Sequence, residues 1–297
     1  MIKSILRWTY ILACLLAIGP AAGRLARFVS DGQGGHACSL LVGDTPLAGA
    51  VIGFVVVAIA AVVGVIASRL FSLGTGLAVA GMVFGWTSWH LGTVESIIRA
   101  TGGEVELWRL AVEGLALTLA AAGIAHVATL AAAACQPAAT SKPGTRLEAL
   151  LVKTADRPAL GVTAAAVVIG AAAAFAAASL VCLSGLKGQS LMGAVVGGIA
   201  CGMAACYVAG AAKITLHPAA PVLGMVLAAV AAPVMARIMH GDDLLAVLYA
   251  DRLLAAARPL PVDWAAGALL GVPVGMGWAG AVLDVRAMEM SEVKAGH

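Results

Sequence analysis

The stretch LAGAVIGFVVVAIAAVVGVIA, Leu47 to Ala67, runs for 21 residues without one charged or strongly polar side chain. At 1.5 Å per residue a helix of that length reaches about 30 Å, the thickness of the hydrocarbon core of a bilayer. In hydrocarbon every backbone N–H and C=O must be satisfied inside a helix or a closed barrel. The run lacks the two-residue alternation of a barrel strand, so it reads as a membrane helix.

Working outward, comparable apolar runs occur at Ile5 to Ala22, Leu73 to His90, Leu107 to Ala134, Ala159 to Leu183, Leu191 to Ala212, Pro221 to Met239 and Trp264 to Leu283. The expected fold is all-α: a polytopic transmembrane helix bundle of about eight spans, forming one integral membrane domain over residues 1–297. The first run has a second reading. Lys3 and Arg7 precede it and it ends in IGPAAGR, where Ala21 and Gly23 are small enough for signal-peptide cleavage; removal leaves seven spans.

Composition agrees with this reading. Hydrophobic residues make up 62% of the 297 and charged ones only 11%, against an apolar share of roughly half in soluble domains. The 18 basic and 15 acidic residues are scattered, so nothing marks a nucleic-acid surface. Of the six cysteines, Cys14, Cys135, Cys182, Cys201 and Cys206 lie in or beside apolar runs, with no CxxC pair and no nearby histidine. They read as small buried residues, and no metal or cofactor is expected.

Loop charge sets the expected orientation. With the N-terminus inside, Lys and Arg divide ten inside to eight outside, and Lys142, Arg146, Lys153 and Arg157 form the densest set. The loop 136–158 is therefore read as cytoplasmic, a linker between possible halves 1–135 and 159–297. The abundance of Ala and Gly suits a high-GC bacterium, which places the chain in a bacterial inner membrane as a multi-pass protein.

Several features bear on chemistry. Glu113 and His126 are ionisable residues within the fourth span, where such groups are functional suspects; thirteen residues set them about 140° apart on a helix, so they do not face one ligand. Pro233 and Pro273 fall inside the last two spans, each removing a backbone donor where a broken helix can line a site. In MHGDDLLAVLYADRLL, Met239 to Leu254, a single helix continued to Arg258 puts His240, Asp243, Asp251 and Arg258 within a sector of about 80°. The segment reads as a polar connection, with a proton or cation role for His240, Asp243 and Asp251 as the sharper reading. Its MHGD lacks the first glycine of the GxGD signature of intramembrane aspartyl proteases, and the nearest second aspartate is Asp284, at the end of the last span.

Two ridges of small residues recur every four positions: Gly198, Gly202, Cys206 and Gly210, then Gly267, Gly271 and Gly275. Such ridges let helices approach closely, within a chain or between copies. Upstream, Glu95 stands four residues before Arg99, a spacing that supports a short helix ended by Gly102 and Gly103, flanked by Trp86, Trp89 and Trp108.

The function expected is that of a small transporter or channel for an ion, proton or small solute. The alternative is a structural or assembly subunit of a larger membrane complex, and an intramembrane hydrolase stands third. Apart from the bilayer, the partners expected are copies of the chain or other membrane subunits. Catalytic residues are not assigned.

Overall fold

The computed structural model describes residues 2–29, 38–43, 45–102, 104–134 and 160–295. Among them the regular elements are all helices: α1 Ile2–Ala13, α2 Gly19–Leu25, α3 Pro46–Leu70, α4 Leu73–Trp89, α5 Val94–Thr101, α6 Glu104–Ala133, α7 Leu160–Val181, α8 Lys187–Ala211, α9 Ala219–His240, α10 Leu244–Tyr249 and α11 Pro261–Ala295. A π-helical turn at Cys14–Ile18 joins α1 to α2, so residues 2–29 form one continuous helical segment.

Seven helical segments are long and apolar enough to cross a membrane: 2–29, 46–70, 106–133, 160–181, 187–211, 219–240 and 261–283. The remaining expected span is α4, whose 17 residues reach about 25 Å, at the lower limit for a crossing. Its Phe84, Val79 and Val83 are fully buried, so it runs through the bundle. The protein is a multi-pass, all-α membrane bundle. The linker 136–158 lies outside the described residues, and the two possible halves pack on each other, α9 against α6 and α11 against both α4 and α6.

Small residues bring the helices together. A Cβ built on Gly198 would collide with the backbone carbonyl of Gly267, one on Gly202 with that of Val272, one on Gly271 with that of Val195, and one on Gly275 with that of Ile199. The ridge of α8 thus lies against the ridge of α11 in the same chain, and Gly210 faces Leu283. Cys206 lies on α8 at the margin of this seam, half-buried. In lipid, where apolar burial gives helices little reason to associate, backbone approach of this kind supplies much of the packing. The same device joins α3 to α4 at Gly64 and Gly76, and α6 to α9 at Gly114.

The stretch 240–258 is not one helix. After α9 ends at His240 the chain makes a 3-10 turn at Gly241–Asp243, the short α10, and a second 3-10 turn at Ala255–Ala257. Gly241 at φ +54° and Asp251 at φ +54° hold left-handed backbone that a helix cannot continue through. The expected polar stripe is therefore not formed. By contrast, α5 forms where the Glu95–Arg99 spacing places it: Thr93 caps it, and Gly102 ends it at φ +81°.

Candidate functional site

The end of the bundle where α4, α7 and α9 finish and α6, α8 and α11 begin holds a buried polar network. Its centre is Asp263, in the first turn of α11 and fully enclosed. Pro261 opens that helix with a preset φ and no N–H to lose. Asp263 reaches back to accept the Leu260 N–H at 2.7 Å, closing the helix terminus. Lys187, the first residue of α8, places its Nζ at 3.1 Å from Oδ1 and 3.2 Å from Oδ2. Ser88, one residue from the end of α4, donates a short hydrogen bond to Oδ1. One carboxylate thus ties together three helices and a helix terminus.

Glu113 lies about 13 Å into α6 from its start and is also buried, at 1% exposure. The segment 38–43 dips against it. Ser39 donates its hydroxyl to Oε1 at 2.5 Å, Leu40 its N–H to the same oxygen at 3.3 Å, and Leu41 its N–H to Oε2 at 2.8 Å. The segment is held on its other sides by Gly92, which donates its N–H to the Cys38 carbonyl at 3.0 Å, and by Gly49, which gives Leu40 room beside α3. Among the described residues Glu113 forms no ion pair, although the charge of Lys187 acts on it.

Toward the surface the network continues as a ladder of ion pairs. Arg258, only 3% exposed, sets Nη1 at 3.5 Å from Glu95 and Nη2 at 2.7 Å from the exposed Asp251. Glu95 also pairs with Arg99 at 3.5 Å. Gly185 is left bare because a Cβ there would strike the Glu95 carboxylate. Cys182 faces this region; burial and the charge of Asp263, partly countered by Arg258, push its thiol up to about 12, so it stays protonated. Exposed Trp89, Trp108 and Tyr249 ring the same end, in the manner of an interfacial aromatic belt.

The residues singled out by sequence separate into distinct places. Glu113 enters the network. His126, on the other end of α6, is exposed and lies against His217, the two rings tilted by 46° with centroids 5.1 Å apart. His217 Nδ1 accepts the Ala219 N–H at 3.1 Å at the start of α9. Burial, and then the neighbouring His126, hold the His217 imidazole below its ordinary value. Pro233 is buried inside α9 and Pro273 is half-buried inside α11, and both helices run on through them. Asp243 is exposed, His240 ends α9 with its Nε2 buried and without a hydrogen-bond partner, and Asp251 joins only the outer rung of the ladder.

Sequence reasoning missed Asp263, Lys187, Ser88 and Ser39. Among the described residues the buried aspartate is Asp263; the side chain of Asp284 lies outside them. The available signal was PLPVDW, Pro259 to Trp264, where proline followed two positions later by aspartate marks a helix start. Taken together, the site offers two carboxylates and two hydroxyls screened from water, and one half-buried ammonium beside them. No family model matches the chain, and neither a curated protein nor a solved structure is similar to it.

Proposed function

We propose that the protein is a small membrane transporter or channel for an ion, proton or small solute, with Glu113, Lys187 and Asp263 as the groups that bind and release charge. The observation that carries this reading is that two carboxylates are buried in an apolar bundle, beside one half-buried ammonium. Enclosed ion pairs are a poor means of stabilisation, since apolar residues of similar shape often serve as well or better. Ionisable groups within a membrane bundle therefore favour a working role. The scarcity of other buried hydrogen-bonding groups fits a small charged ligand better than a large polar one.

By loop charge we place the N-terminus and the linker 136–158 on the cytoplasmic side of a bacterial inner membrane. The buried network then sits at the outer end, and the His126–His217 pair at the inner one.

The test is flux. Purified protein in liposomes, given a proton, sodium or potassium gradient, should dissipate at least one of them faster than protein-free vesicles. Native mass spectrometry on the same preparation covers the rival reading of an assembly subunit. No flux together with stoichiometric foreign subunits would replace the transport reading with that one.

A further inference from the structure

We propose that the ligand of this site is a proton, taken up on the Glu113 carboxylate and held against the Ser39 hydroxyl; this rests on the transport reading above and names its substrate class. Asp263 Oδ1 receives Ser88 and Lys187, and Oδ2 receives Lys187 and the Leu260 N–H. Glu113 Oε1 receives Ser39 and the Leu40 N–H, and Oε2 the Leu41 N–H. Every oxygen of both carboxylates is already approached by hydrogens. A metal cation held through oxygen needs about six inward-facing lone pairs, and no group of three His, Cys, Asp or Glu able to hold a metal ion occurs among the described residues.

A proton needs one lone pair, and then one acceptor for the O–H it creates. Backbone N–H groups and an ammonium cannot become acceptors, but a hydroxyl can. At 2.5 Å from Oε1, Ser39 can turn from donor to acceptor with little movement of heavy atoms. Asp263 has Ser88 in the same position, yet both of its oxygens already face the Lys187 ammonium at 3.1 and 3.2 Å, a partner that Glu113 lacks among the described residues. Of the titratable groups, Lys187 on α8 acts on Glu113, and Asp263 on α11 and Cys38 in the clamping segment act in turn on Lys187. Uptake of one proton brings the formal charge of Glu113, Lys187 and Asp263 from −1 to zero. It also weakens the hydrogen bonds from Leu40 and Leu41, which lose a charged acceptor, so the proton bears directly on how firmly segment 38–43 is held.

Infrared difference spectroscopy on the full-length protein in lipid nanodiscs, prepared with glutamate carrying carbon-13 in its side-chain carboxyl, reads this directly. Acidification should raise one buried carboxylic-acid C=O band that carries the isotope shift and has the same amplitude in sodium and potassium salts. Glu113→Gln should remove that band, and Ser39→Ala should move it to the frequency of a more weakly hydrogen-bonded acid. A band without the isotope shift belongs to an aspartate and overturns the assignment, even if the Glu113 variant does not fold. So does a band that sodium discharges at constant pH, or the absence of a titrating glutamate band. Protonation is read without flux, so a titrating Glu113 in an inactive protein defeats only the transport reading, and flux without that band defeats only the proton site.

Discussion

Two ionisable residues on α6, Glu113 and His126, lie on one helix thirteen residues apart, and the bundle treats them in opposite ways. Glu113 is enclosed, accepts three hydrogen bonds from segment 38–43, and feels the charge of Lys187. His126 is exposed and touches one other ring. Their sequence contexts are alike, each an ionisable side chain amid Ala, Leu and Val. What separates them is what packs on each face of the helix, a property of the fold and not of α6. An ionisable residue in an apolar span becomes a site only where other elements bring donors to it.

The contrast can be broken from its buried end. Asp263→Ala leaves the half-buried Lys187 without its counter-charge and should cost about 3 kcal/mol, measured as a fall in the melting temperature of the detergent-solubilised protein. If the ion pair is kept for function, Lys187→Met combined with Asp263→Leu should recover most of that stability while flux stays absent. A double variant that remains as unstable as Asp263→Ala would argue that the pair is a structural tie.

At Glu113 itself, Glu113→Ala strands the hydroxyl of Ser39 and two backbone N–H groups and should cost about 2–3 kcal/mol by the same melt. At the other end of α6 the expected changes shrink. His217→Ala removes the acceptor at the start of α9 and should cost about 1 kcal/mol. His126→Ala should change stability by less than about 0.5 kcal/mol. If His126→Ala proved as damaging as Glu113→Ala, the two ends of α6 would be equivalent and the contrast would fail.

The pH dependence of the His126 end of α6 follows from His217. Its imidazole is held below the ordinary 6.5, so the unfolded chain takes up the proton before the folded one does. The stability that comes with the neutral ring is full above 6.5 and is lost as the pH falls below it. A pH series of melts should show this loss in the wild type and a smaller one in His217→Gln. Equal losses would remove His217 from the account.

The spans were legible in the sequence because long apolar runs are read by counting, as Leu47–Ala67 shows. The ridges of α8 and α11 were legible as spacing, but not their mutual partnership, since a row of small residues does not say which helix fills it. The site was largely hidden, for two physical reasons. Hydropathy places helix ends at the first apolar residue, so Leu191 and Trp264 opened their spans in the sequence reading, while the helices begin at Lys187 and Pro261. Lys187 and Asp263 were thereby assigned to loops, although the extra turns carry them into the bundle. The clamp on Glu113 joins residues 72 to 74 positions apart, and neither Ser39 nor Leu41 carries a local signature of it. The 239–258 stretch shows the reverse: its charges stand out in sequence, yet positive-φ backbone at Gly241 and Asp251 breaks it into the short turns of a connection, and Asp243 is exposed.

Transport through this bundle requires that the buried network work and not merely hold the helices together. Its most direct test measures two properties of Glu113→Gln, a substitution that keeps the shape of the side chain and one acceptor oxygen while removing the titrating group. The account predicts a melting temperature within a few degrees of the wild type and loss of the gradient-driven flux in liposomes. A variant that folds as well as the wild type and carries the same flux would contradict it.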